Sequence, residues 1–200
     1  MGRMMIVPPM NSLRTASKLA TRGLLLAGMA LVAINSSVSA QHGTAMGLPY
    51  ENLATSVKDR RGTVVPADLT FVDENKKSVR IGDYFGLDRP VLLNMRYFAC
   101  PTMCGPMTQG MIRALQKLRL RPGRDFELVT VSIDPKEKPE LARDKKNAYL
   151  EEYTVAGAAD HWHFLTGEEA QSRRLADLVG FSYEWNEHRK VYDHGAALFV

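Results

Sequence analysis

Two short, nearly unbroken apolar runs constrain this chain more than any other feature. Pro90 to Phe98, within "RPVLLNMRYF", and Phe126 to Ile133, "FELVTVSI", both suit strands buried on two faces. Between them Met107, Met111, Ile112, Leu115 and Leu118 recur at helical spacing as far as "RPGRD". Strand, helix and strand in this order predict parallel central strands with helices packed on the faces of the sheet. The flanking segments continue the alternation. "ADLTFVDENKKSVRIGDYFG" reads as a hairpin, with Leu69 to Val72 and Val79 to Ile81 as strands and "DENK" as the turn. "PELARDKKNAYLEEY" is a half-exposed helix, "HWHFLTG" a short strand and turn, "EEAQSRRLADLVG" a helix stopped by Gly180, and "FSYEW" a strand. "HGAALFV" reads as a last strand that runs to Val200. A strand normally continues into a turn and a partner, so further C-terminal elements are expected.

The 200 residues allow one ordinary globular domain, from which the N-terminus must be subtracted. Arg14, Lys18 and Arg22 precede the uncharged stretch Gly23 to Ile34, and "NSSVSA" follows with Val38 and Ala40 at the positions a signal peptidase reads. Residues 1–40 are therefore expected to be an export signal cut before Gln41. A retained anchor is the other reading, although the run has twelve residues and a spanning helix needs ~20. Residues 41–66 read as an extended, polar arm and 67–200 as the domain. The leader carries Arg3, Arg14, Lys18 and Arg22 but no acidic residue, so 22 of the 26 basic residues remain against 22 acidic ones. The net charge of +4 thus belongs to the leader, and nucleic acid is not an expected partner. Membrane contact is expected only if the leader is retained. Export implies the bacterial periplasm or the outer face of the inner membrane.

Cys100 and Cys104, the only cysteines, lie in "FACPTMCGP" between the first buried strand and the helix that follows. Open α/β sheets place their ligand sites at such strand ends. Pro106 suits a first helical turn, so Cys104 is expected at or just before a helix N-terminus. Backbone N–H groups and the helix dipole there favour a thiolate, and both sulfurs are expected to be accessible and nucleophilic. Three chemistries compete. A bridge across so short a loop gains little chain entropy, which argues against a purely structural disulfide. A redox dithiol is open, with one residue more than the familiar Cys-x-x-Cys spacing. A soft metal ion held by both thiolates is open too, and requires a further ligand.

His42, His161, His163, His188 and His194 are the candidates for that ligand in the exported chain. His194 is favoured because it begins the last strand and Gly195 leaves room for another loop. Two thiolates and an imidazole suit copper, whereas zinc more often takes a fourth protein ligand. His161 and His163 would share one strand face, which could make a weak surface site but is expected to reflect solvent exposure. His42, near the new N-terminus, could bind copper only adventitiously. Met103, Met107 and Met111, four residues apart, could offer thioethers to copper but are expected to fill the gap between helix and sheet. A peroxidase-like thiol enzyme would need an oxyanion-binding neighbour, for which Arg96 is the one candidate.

Four segments, "RPVLLNMRYFACPTMC", "LVTVSIDP", "HWHFLTG" and "YDHGAALFV", occur in the order found in the SCO/SenC family, which the chain resembles from about Ala67 to Val200. The resemblance implies a thioredoxin-like α/β fold, a central mixed sheet flanked by helices. It implies one copper ion, Cu(I) or Cu(II), held by Cys100, Cys104 and His194. It also implies a metallochaperone rather than an enzyme, delivering copper to the dinuclear centre of cytochrome c oxidase subunit II, with another copper chaperone as a possible further partner. The alternative within the family is a thiol-disulfide oxidoreductase that reduces acceptor cysteines or senses redox state, with Cys100 and Cys104 redox-active. Asp134 matches the family's Asp-Pro element and is expected to be structural rather than a ligand. Family members commonly carry Pro directly after the second Cys; Gly105 intervenes here and shifts the helix start by about one residue.

Overall fold

The structure, a computed structural model, describes residues 55–101 and 103–200. The leader, His42 and the arm as far as residue 54 lie outside the described residues. In chain order the elements are β1 (Thr70–Asp73), β2 (Ser78–Arg80), β3 (Val91–Arg96), α1 (Cys104–Leu118), β4 (Glu127–Ser132), α2 (Pro139–Glu152), α3 (Ala158–His161), β5 (Trp162–Thr166), α4 (Glu169–Val179), β6 (Tyr183–Asn186), β7 (Val191–His194) and β8 (Leu198–Phe199).

The two apolar runs form β3 and β4, which lie parallel with Leu92 opposite Leu128 and Met95 opposite Val131. Strand β5 continues the parallel set beside β4. Antiparallel strands complete the sheet, β1 against β5 with β2 outside it, and β8 against β3, in the order β2-β1-β5-β4-β3-β8. The result is the expected mixed sheet with a parallel centre.

Every residue of β4 is buried, and its side chains alternate between two cores. Val129 and Val131 join Phe71, Leu93, Leu165, Leu175 and Phe181 on the face that α4 covers. Leu128 joins Ile112, Leu115, Tyr149, Trp162 and Phe164 on the face that α1 and α2 cover. Thr130 points to this second core and is satisfied there, accepting a hydrogen bond from Trp162 Nε1 at 3.0 Å.

Helix α4 stops where expected. Gly180 has φ 78°, and a side chain there would strike the Lys58 carbonyl at 2.1 Å. That close approach lets Lys58 N–H donate to the Gly180 carbonyl at 2.8 Å, which ties the segment entering the domain to the end of α4.

The last strand differs from the reading of the sequence. "HGAALFV" is not one strand beginning at His194. His194 ends β7, which pairs with β6 as a separate hairpin, Tyr183 opposite His194, and only Leu198 and Phe199 join the main sheet. The hairpin closes at Lys190, which adopts φ 54° without a glycine while its N–H donates to the Asn186 carbonyl at 2.8 Å. Among the described residues no helix is long and apolar enough to cross a membrane.

Candidate metal centre

The C-terminal end of β3 opens into the cysteine loop, and α1 begins at Cys104 itself. Pro106 is the third residue of the helix, within the first turn where backbone N–H groups have no helical partner to lose. The separate hairpin reaches over this loop, with the Tyr97 and Tyr192 rings in edge contact at 5.5 Å. Through that arrangement a thiol sulfur of Cys100, that of Cys104 and a ring nitrogen of His194 all come within 4.8 Å of one another. Neither cysteine is in a disulfide.

The imidazole is oriented for ligation. His194 Nδ1 lies 2.6 Å from the Gly195 carbonyl, which can only accept, so Nδ1 carries the proton. Nε2 is left with its lone pair 3.7 Å from Cys104 Sγ. Burial lowers the His194 pKa from its ordinary value, and the nearby Arg96 charge acts in the same direction against the Gly195 hydrogen bond. Tyr97 and Phe181 flank the ring, each with centroids 5.8 Å away. Gly195 does admit another segment, as the sequence predicts: a side chain there would meet the Thr55 carbonyl at 2.9 Å and Val57 at 3.0 Å.

Glu137, which the sequence reading missed, anchors the loop. Its buried carboxylate accepts from the Phe98 and Ala99 amides at 2.8 and 2.6 Å and from Ser132 Oγ at 2.6 Å. Burial pushes its pKa up, and these three bonds recover only part of the cost. Asp134 supports it from the turn, accepting from the Lys136 amide at 2.9 Å through its side chain and from the Glu137 amide at 3.1 Å through its carbonyl. The only signal for Glu137 was its place just after the Asp134-Pro135 element.

Three expectations are overturned around the site. The Cys104 pKa is raised, not lowered. Burial pushes the thiol up to about 12, the neighbouring Cys100 adds to that, and the Arg96 charge opposes it without prevailing. Cys104 is buried rather than accessible, and Cys100 alone is partly exposed. A thiol held protonated is also the reverse of what peroxidase-like chemistry would need from Cys104. Met103 and Met107 do not pack in the core: they are 63% and 42% exposed. Both line a cleft of about 510 Å³ together with Cys100, Cys104 and His194. Only Met111 packs beneath the helix.

His161 and His163 belong elsewhere, and solvent exposure does not explain them. His161 Nδ1 and His163 Nε2 contact the Glu127 carboxylate at 2.9 and 3.2 Å, and Arg89 Nε donates to it at 2.8 Å. Glu127 begins β4, opposite Val91, so this cluster lies at the end of the sheet remote from the cysteine loop. His188 is exposed in the turn between β6 and β7. Arg96 is close to the site after all, since Nη1 donates to the Cys104 carbonyl at 3.1 Å.

Comparison with solved structures supports the thioredoxin-like arrangement. A protein of Aquifex aeolicus VF5 described as an electron transfer protein is 25% identical, with a TM-score of 0.56 over 68% of this chain and 75% of its own. Arabidopsis thaliana ScoI, solved with copper bound, is 18% identical, with a TM-score of 0.52 over 68% of this chain and 80% of its own, and supports the fold alone. Among curated proteins no match is found. The SCO1/SenC family model matches residues 57–200, a span that takes in the cysteine loop, the anchoring turn and the histidine hairpin, and the chain belongs to that family.

Proposed function

We propose that the protein binds one copper ion through Cys100, Cys104 and His194 and passes it to a copper-accepting protein, outside the cytoplasm. The observation that carries this reading is the convergence of two thiols and an unprotonated imidazole nitrogen within 4.8 Å. Two soft sulfurs with one nitrogen suit copper in both oxidation states, and the donors present fit that ion without a fourth protein ligand. Membership of the SCO1/SenC family supports the same assignment.

Delivery follows from the exposure of the site. The cleft is open, Cys100 is partly exposed and the donors are few, so thiolates of an acceptor can replace those of this protein one at a time. Cytochrome c oxidase subunit II, with its dinuclear copper centre, is the acceptor that family membership favours. Thiol-disulfide exchange is the second reading: Cys104 is buried with its thiol pushed up to about 12, which leaves the partly exposed Cys100 as the sulfur open to attack.

The test is a titration of the reduced protein with monovalent copper against a competing chelator, counting free thiols throughout. One copper bound with both thiols masked is the expected result. No binding, with ready disulfide formation and exchange, would transfer the site to redox chemistry.

A further inference from the structure

Arg96 is the last residue of β3, after Val91, Leu92, Leu93, Asn94 and Met95, and it is only 4% exposed. Nη1 donates to the Cys104 carbonyl at 3.1 Å and to Thr108 Oγ1, and Cζ lies 5.5 Å from the centre of the Tyr149 ring. Nε is buried without a hydrogen-bond partner. Among the described residues Arg96 forms no ion pair with a carboxylate. The acidic group that the loop does bring near, Glu137, spends its oxygens on the Phe98 and Ala99 amides and Ser132. A buried cation without a counter-ion is costly, and neutral partners recover only part of its lost hydration.

The missing negative charge is supplied when the site is loaded. Arg96, Cys104 and His194 line one cavity that runs along α1 from Cys104 to Leu118. Two thiolates and a neutral imidazole around Cu(I) carry a net charge of −1; around Cu(II) they carry none. We propose that Arg96 is the fixed counter-charge of the loaded site and selects monovalent over divalent copper as its cargo. This rests on the copper reading above. A positive charge held against the Cys104 carbonyl at 3.1 Å is attracted to the monovalent complex and far less to the neutral one. It therefore acts on the ratio of the two affinities, which a merely structural role would leave unchanged.

The experiment compares the full protein with Arg96→Gln and Arg96→Lys. Each is titrated separately with Cu(I) and Cu(II) against competing chelators, and folding is followed by circular dichroism. Gln keeps amide donors for the Cys104 carbonyl and Thr108 but removes the charge; Lys keeps the charge. The expected result is a Cu(I) to Cu(II) affinity ratio lower by at least about tenfold in Arg96→Gln, since a unit charge counts for more in a partly screened interior than in water. Arg96→Lys should keep a ratio close to that of the original protein. Equal losses for both ions, no loss, or no rescue by Lys would overturn the proposal, as would an unfolded Arg96→Gln, which would make the guanidinium structural. If the original protein bound neither ion, the copper reading itself would fall, and this inference with it.

Discussion

His194 Nε2 faces Cys104 Sγ at 3.7 Å across 90 residues of chain, and the Gly195 carbonyl holds the ring proton on the opposite nitrogen. Imidazole is the harder of the donors, so its loss should be felt most by divalent copper. His194→Ala is expected to weaken Cu(II) binding by about tenfold or more and to change its absorption spectrum, with a smaller effect on Cu(I). An unchanged divalent spectrum would remove His194 from the site.

Cys100 is partly exposed and Cys104 buried, and the proposed site needs both sulfurs. Replacement of either by Ser leaves one thiolate, which is too few to hold Cu(I) against a competing chelator. Both variants should lose stoichiometric monovalent binding in the titration. Retention of tight one-to-one binding by either would rule out a two-thiolate site.

The raised Cys104 pKa sets a pH dependence for loading. A thiol that titrates near 12 is protonated at neutral pH, so copper must displace that proton. Its affinity should rise by roughly tenfold for each pH unit per proton released, and weaken as the pH falls. Proton release measured in weakly buffered solution should be at least one per copper near pH 7. Loading without proton release would mean that Cys104 does not bind as thiolate.

Much of this arrangement is legible in the sequence where one residue type has one physical use. The unbroken apolar runs announce β3 and β4, and Gly180 announces the end of α4 because only glycine can meet the Lys58 carbonyl there. The β7 strand is not legible, since Lys190 turns the hairpin without glycine and all four residues of β7 are only half-buried. The cysteine chemistry fails for a related reason. A helix N-terminus favours thiolate locally, but the burial that outweighs it comes from packing of distant segments over Cys104. Spacing by four places Met103, just before α1, and Met107 within it on one side without saying whether that side meets the sheet or the cleft. Arg96 was visible as a charge within an apolar run, yet its closeness to Cys104 depends on how the loop returns to α1.

Glu137 ties the loop to the turn after β4 with both carboxylate oxygens occupied by donors. Glu137→Gln replaces one oxygen by an amide that must face a backbone N–H. The expected loss is about 1–3 kcal/mol of stability by chemical denaturation, the cost of a buried donor left unpaired. Copper affinity should fall with it, since Ala99 precedes Cys100. Unchanged stability and affinity would show that the loop holds its shape without this carboxylate.

The cluster at the far end of the sheet should govern acid stability. Burial lowers the His163 pKa from its ordinary 6.5, and contact with Glu127 offsets this only in part. For Glu127, burial acts upward, but Arg89 and the two imidazoles outweigh it and leave the carboxyl below its ordinary 4.5. Both folded pKa values are depressed, so on acidification the unfolded chain takes up these protons first. Their contribution to stability is present at neutral pH and is lost as the pH falls, from about 6.5 downward for His163 and from about 4.5 downward for Glu127. His163→Gln keeps a donor for Glu127 but cannot titrate. Urea denaturation between pH 7 and 4.5 should therefore show a shallower loss of stability in this variant, by at most about 1.4 kcal/mol per pH unit. Equal slopes in the two proteins would mean that His163 keeps its ordinary pKa in the folded state.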